Sequence, residues 1–243
     1  MIKHIEIKDC LGFTLRGYLD LPDNAKRIVV FFHGYTGNLT EHNDHFKLLS
    51  RMLSKENIAS LRMCYAGNGE SDGAFYDSNF ANNLIDCKAM LDYAKNELKF
   101  DDICLLGFSM GGLLACCSAN YIPITKIVLW SAAVPDYDHW KKHYEAYRAM
   151  PNGKRYFLGR EVDERLYETT NLLHPIEEAK KFQGEVLIYQ GRIDQAVPFE
   201  QAIKYNEAFK NSTLKIIENC THGYDQYEFQ KEILDGSLNF LKS

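Results

Sequence analysis

The hexapeptide Gly107-Phe108-Ser109-Met110-Gly111-Gly112 joins one apolar run, Ile103-Cys104-Leu105-Leu106, to another, Leu113-Leu114-Ala115-Cys116-Cys117. A strand that enters a helix through so tight a turn has little room for side chains beside the serine, and the glycines supply that room. The turn lifts the Ser109 hydroxyl off the strand end and sets it at a helix N-terminus, where unpaired backbone N–H groups can meet developing negative charge. That arrangement suits a nucleophile. A glycine-rich turn of a nucleotide-binding unit has the same outline, so the motif takes its meaning from the rest of the chain.

Short runs rich in Ile, Val and Leu recur near residues 2–8, 12–20, 27–33, 58–63, 102–108, 125–130, 185–190 and 213–218. Helical patterns near 42–56, 79–98, 110–120, 199–209 and 226–241 separate most of them. This alternation predicts crossover connections and an α/β fold: a mostly parallel eight-stranded sheet flanked by helices. The first two runs flank Cys10-Leu11-Gly12 and predict an antiparallel hairpin. The later runs are short and rich in Ile, Val and Leu, as strands covered on both faces should be. A length of 243 residues suits a single domain, 1–243, made of a core plus an insertion.

Two late strands end in reactive side chains. Glu185–Gln190 runs into Gly191-Arg192-Ile193-Asp194, and Thr213–Ile217 leads through Glu218-Asn219-Cys220-Thr221 to His222. In an open parallel sheet such ends share one rim, where ligands bind. A serine needs a neighbouring base to take its proton, and His222 is the candidate. The base needs a carboxylate to orient it and to stabilise its cation, which is the role assigned to Asp194. His33 belongs to a glycine-containing loop, and His4, His42, His45, His139, His143 and His174 do not follow a late strand. Asp136, Asp138 and Asp225 are rival acids, and Asp194 has an alternative as a cap for the helix that starts near Pro198. The oxyanion of acyl transfer needs two donors, and the backbone N–H groups of Tyr35 and Met110 are placed for it.

Five segments together resemble a known family. They are His33-Gly34-Tyr35-Thr36-Gly37-Asn38; Ser60-Leu61-Arg62 leading to Gly67-Asn68-Gly69-Glu70-Ser71-Asp72-Gly73; the Ser109 turn; the Asp194 loop ending in Val197-Pro198; and His222. Over nearly its whole length the chain resembles an α/β-hydrolase, and more narrowly the bacterial cinnamoyl and feruloyl esterases, with monoacylglycerol lipases as close relatives. The resemblance implies an α/β-hydrolase fold with a small inserted cap. It implies a serine carboxylester hydrolase that works through an acyl-enzyme on hydroxycinnamoyl esters, and it is compatible with a homodimer. A monoacylglycerol lipase, a general short-chain carboxylesterase, a thioesterase or peptidase with the same machinery, and a non-catalytic binding homologue are the alternatives. Two positions depart from the pattern. Phe108 precedes the serine where these esterases often have histidine, and Cys64-Tyr65-Ala66-Gly67 stands where many relatives have Asp-x-Arg-Gly. Both bear on the pocket wall rather than on the triad.

The strand–helix rhythm breaks between Ser131 and about Lys181, and the stretch 132–181 is taken as the cap. It carries Tyr137, Trp140, Tyr144, Tyr147, Tyr156, Phe157 and Tyr167. Trp140, Tyr144 and Tyr147 fall on one face of a helix. That face either anchors the helix to the core or lines an acyl pocket, and hydrolases of this fold commonly carry a cap at this point. On the second reading Asp138, Trp140 and Tyr144 contact substrate, with Asp138 meeting a para hydroxyl.

A net charge of −5 disfavours nucleic acid and anionic membrane as partners. No run approaches the ~18 apolar residues of a membrane span, and Met1-Ile2-Lys3-His4-Ile5-Glu6 reads as a strand rather than a signal peptide. Seven cysteines with no Cys-x-x-Cys pair suggest reduced thiols and a cytoplasmic protein. His42 and His45 lack a third metal ligand, and Gly67-Asn68-Gly69 is only a fragment of a dinucleotide fingerprint. No metal and no cofactor are expected; the partner is a small-molecule ester.

Overall fold

The computed structural model describes residues 2–243. The main sheet has eight strands: β1 (Ile2–Lys8), β2 (Thr14–Asp20), β3 (Arg27–Phe32), β4 (Ala59–Met63), β5 (Asp102–Phe108), β6 (Lys126–Trp130), β10 (Glu185–Gly191) and β11 (Ser212–Ile217), in the order β1-β2-β4-β3-β5-β6-β10-β11. Strands β1 and β2 form the expected hairpin, and β2 is antiparallel to β4. From β4 across to β11 every pairing is parallel. This is the α/β-hydrolase fold. The second strand starts at Thr14 rather than 12 because Gly12, at φ +94°, still belongs to the turn.

The helices α1 (His45–Lys55), α2 (Phe80–Asp92), α3 (Met110–Ser118), α7 (Phe199–Ala208) and α8 (Tyr227–Lys242) answer to the helical patterns read from the sequence, the first four as crossovers. They cover both faces and create two apolar layers. One holds Leu15, Val30, Leu105, Ile127 and Leu113; the other holds Phe31, Phe46, Leu106, Trp130 and Ile233. Successive residues of one strand supply opposite layers, which is why β3, β5 and β6 show no polar alternation, whereas β4 alternates and buries Ser60 and Arg62 on one face.

Between β6 and β10 lie α4 (Tyr137–Ala146), a three-stranded sheet of β7 (Arg148–Ala149), β8 (Arg155–Phe157) and β9 (Arg160–Val162), then α5 (Arg165–Glu168) and α6 (Pro175–Lys181). Helix α6 packs on α3 and α7. It therefore belongs to the layer over the main sheet, and the part of 132–181 that rises off the sheet is shorter than that span. No described helix is long and apolar enough to cross a membrane.

Candidate active site

The Ser109 turn closes as its sequence demands. Ser109 has φ 55° and ψ −119°, a strained region for a residue with a Cβ. Its N–H donates to the Trp130 carbonyl at 2.9 Å, and its own carbonyl accepts from Gly112 at 3.0 Å and Ala133 at 3.0 Å. A Cβ on Gly111 would stand 1.9 Å from the Phe32 carbonyl oxygen. Only glycine lets α3 come this close to the end of β3, and this approach sets Met110 beside the loop that carries Tyr35. Among the described residues no protein acceptor meets the N–H of Tyr35 or of Met110. Both are available for an oxyanion.

Asp194 sits past the end of β10 with its side chain buried, and Oδ2 meets His222 Nδ1 at 2.7 Å. Its Oδ1 accepts the N–H groups of Ala196 and Val197 at 2.9 and 2.8 Å. Burial alone works to raise the Asp194 pKa. The bond and the charge of His222, with the Val197 N–H, outweigh it and hold the carboxyl below its usual value. Ser109 and His222 line the same cavity of ≈ 580 Å³, together with Gly34, Tyr35, Thr36, Gly37, Asn38, Glu41, His42, Phe108, Thr221, Gly223 and Asp225. Phe108 lays its ring 4.8 Å from the His222 ring, tilted by 35°.

The rival acids go elsewhere. Asp136 caps α4 by accepting the His139 N–H at 2.9 Å. Asp225 accepts from His42 Nε2 at 2.6 Å and from Asn43 at 2.9 Å. His33 is buried, and burial lowers its pKa to about 4. His45 is also buried. Among the described residues no group of three or more His, Cys, Asp or Glu side chains is arranged to hold a metal.

The residues expected to contact substrate from the cap do not line this cavity. Asp138 is exposed in the first turn of α4. Tyr144 is buried against Tyr167, ring centroids 5.3 Å apart. Trp140 packs edge-on against Tyr35 at 5.2 Å and Phe80 at 5.0 Å. Tyr147 stacks on Phe157 at 4.3 Å, and Phe157 is parallel to Tyr35 at 6.2 Å. The apolar stripe thus anchors α4, and its chief contact with the site is the back of Tyr35.

Two side chains escaped the sequence reading. Gln190, wholly buried in β10, donates through Nε2 to Asp194 Oδ2 at 3.0 Å and to the Val197 carbonyl at 2.9 Å. Glu41 accepts the Gly34 N–H at 2.6 Å from within the cavity wall. A polar residue inside an apolar strand was a visible signal for Gln190; no motif marked the role of Glu41.

The model of the family described as serine aminopeptidase, S33, matches residues 23–156. An uncharacterised protein of Salmonella typhi, YfhR, is 26% identical over 240 residues, covering 91% of this chain and 73% of that protein. Among solved structures, Est1E from Butyrivibrio proteoclasticus with bound ferulic acid superposes with a TM-score of 0.78 at 26% identity, covering 98% of this chain and 96% of that one. The Pyrococcus furiosus esterase Pf2001 does so with a TM-score of 0.74 at 21% identity, covering 100% and 90%. At that lower identity the likeness speaks for the fold.

Proposed function

Because the chain belongs to the serine aminopeptidase (S33) family of α/β-hydrolases, we propose that it is a serine carboxylester hydrolase acting on hydroxycinnamoyl esters. The observation that carries the reaction class is the 2.7 Å bond between His222 and Asp194 beside the strained Ser109, all at one rim of the sheet. His222 Nε2 takes the Ser109 proton as Oγ attacks the ester carbonyl. The carbonyl oxygen becomes an anion held by the N–H groups of Tyr35 and Met110. The intermediate collapses, the alcohol leaves with the proton from His222, and an acyl-Ser109 ester remains. Water, deprotonated by the same imidazole, attacks that ester and releases the acid. Asp194 holds the imidazole with Nδ1–H toward itself and faces the cation when it forms.

The hydroxycinnamoyl preference draws on the likeness to Est1E and on two rings, Tyr35 and Phe108, in the cavity wall beside Ser109. A flat aromatic acyl group suits such a wall. Trp140 and Tyr144 then act at one remove, Trp140 by backing Tyr35. The test is to compare kcat/KM for methyl ferulate, p-nitrophenyl butyrate, a monoacylglycerol and an aminoacyl p-nitroanilide. Preference for methyl ferulate supports the proposal. Preference for the glyceride makes the protein a lipase, and preference for the anilide makes it a peptidase. A native protein whose Ser109 resists a fluorophosphonate would be a binding homologue.

A further inference from the structure

The geometry points to Glu41 as a positioning residue that helps aim the Tyr35 N–H at the oxyanion by fixing the His33–Gly34 peptide unit, next to the Gly34–Tyr35 unit that carries that donor. This rests on the catalytic reading above and adds a residue to it. Glu41 Oε2 accepts the Gly34 N–H at 2.6 Å, and Oε1 accepts the His42 N–H at 3.1 Å. The carbonyl of Gly34 accepts from the Gly37 N–H at 3.0 Å and from His33 Nδ1 at 2.9 Å. His33 can donate there because its Nε2 accepts the Tyr65 N–H at 3.2 Å, which leaves the ring proton on Nδ1. A peptide unit is planar and trans. A carbonyl held toward His33 and Gly37 therefore sends the N–H of the same unit, that of Tyr35, the opposite way. The unit before it is locked by the carboxylate, so Gly34 cannot turn to swing the donor aside.

The surroundings of Glu41 are costly for a residue that merely closes a loop. Its backbone has φ 57° and ψ 176°, a region nearly closed to residues with a Cβ. Thr36, Asn43 and Asp44 also have positive φ. The carboxylate is buried, and among the described residues no lysine or arginine pairs with it. The positive charges within its reach are those that His42 and His222 carry when protonated. A buried carboxylate without a basic partner is expensive. A Cβ on Gly37 would stand 2.8 and 2.9 Å from its two oxygens, so Gly37 leaves the space the carboxylate occupies.

The experiment compares wild type with Glu41→Ala, Glu41→Gln and Gly37→Ala. It measures kcat and KM for p-nitrophenyl butyrate, affinity for a boronic acid that forms a tetrahedral adduct on Ser109, and Tm. Loss of one oxyanion donor lowers kcat by about 100-fold or more, so Glu41→Ala should fall by ~30- to 100-fold. KM should stay within about twofold, and boronate affinity should fall in step with kcat. Glu41→Gln should regain most of the loss, since its amide oxygen can accept from Gly34. Gly37→Ala crowds the carboxylate without removing it and should lower kcat in the same sense, which keeps the inference testable if Glu41→Ala misfolds. Folded variants with kcat within about threefold of wild type would overturn it, as would equal losses in kcat and substrate affinity. A wild type that fluorophosphonate labels, paired with an unimpaired Glu41→Ala, sinks this inference alone. An unlabelled wild type sinks the catalytic reading and this one with it.

Discussion

The main sheet and the cap are built on different physics. In β3 and β5, Ile28, Val29, Val30, Ile103, Leu105 and Leu106 have no exposed surface, and helices clamp both faces. In the cap, Tyr144, Val162, Leu166, Thr170 and Leu173 are buried, and much of the remainder is held by rings and cations. Tyr137 packs on Tyr167, Arg155 lies over Tyr144, Lys154 over Tyr76, and Arg160 over Phe75. Close-packed aliphatic layers resist displacement, whereas amphipathic contacts on a partly wet surface tolerate sliding and exchange. Ser109, Asp194 and His222 all hang from the rigid part. The cap meets the site through the ring of Tyr35 and through Arg160, which donates to the Thr36 carbonyl at 3.4 Å. Reaction and selectivity are therefore separable by region.

The sharpest way to break that separation is at the serine. Ser109→Ala should lower turnover by ~10⁴-fold or more and abolish fluorophosphonate labelling. Tm should change by only a few degrees in a differential scanning experiment, since the fold does not depend on the hydroxyl. Residual turnover near wild type would place the nucleophile elsewhere.

Next come paired truncations, one per region. Leu105→Ala opens a cavity in the sheet core and should cost about 2–5 kcal/mol of stability in denaturant titrations. Trp140→Ala, at a half-buried cap position, should cost less than half of that. It should instead lower kcat/KM for methyl ferulate by about tenfold, chiefly through KM, because it removes the backing of Tyr35. Equal destabilisation by the two would show the cap to be part of the cooperative core.

A third contrast uses charge. Asp86, fully buried on α2, accepts the Ala66 N–H at 2.8 Å. Burial pushes its pKa up to about 8, and Asp9 beside it adds to the rise. The folded value lies above the unfolded one, so the folded state holds a proton that the unfolded chain releases. That contribution is whole below about pH 4, fades as pH rises, and is gone above about pH 8. Asp86→Asn keeps the bond from the Ala66 N–H through its amide oxygen and brings an N–H donor to the side facing Asp9. It should flatten the fall in Tm between pH 5 and 8.5 and stabilise the protein at the upper end by about 2 kcal/mol. In the cap, Asp163→Asn breaks a pair with Arg165 on a partly exposed surface, and its effect should stay under ~1 kcal/mol. An unchanged slope in Asp86→Asn would mean that the carboxyl is ionised throughout.

The same division explains what could be read from the chain. All eight strands of the sheet were visible because each is a short run rich in Ile, Val or Leu or alternating polar and apolar, bounded by turns, and Ser109, Asp194 and His222 follow the ends of such runs. The strands of the cap were not visible. β7 and β8 are two and three residues long, too short for any period to register, and their aromatic residues suit a helix or a strand equally. The stripe of Trp140, Tyr144 and Tyr147 was legible as a face but not as to what it faces. Glu41 was unreadable for another reason: its role follows from a strained backbone that brings it back to Gly34, and no composition rule encodes such a return.

Gln190 lies between these extremes and provides the smallest effect on turnover. Its Nε2 donates to the Asp194 oxygen that also receives His222. With the N–H groups of Ala196 and Val197 on the other oxygen, the carboxylate is held on both sides and cannot rotate with the imidazole. Gln190→Leu would preserve the bulk of the buried side chain and remove one charge-assisted donor. The expected loss is about 1 kcal/mol, or roughly fivefold in kcat, with KM unchanged. The acid limb of the kcat profile should also move, since a less restrained carboxylate alters the proton affinity of its imidazole. A purely structural glutamine would lower Tm and the active fraction but leave that limb where it is, so the pH profile decides whether the rigid sheet supplies only the triad or also tunes it.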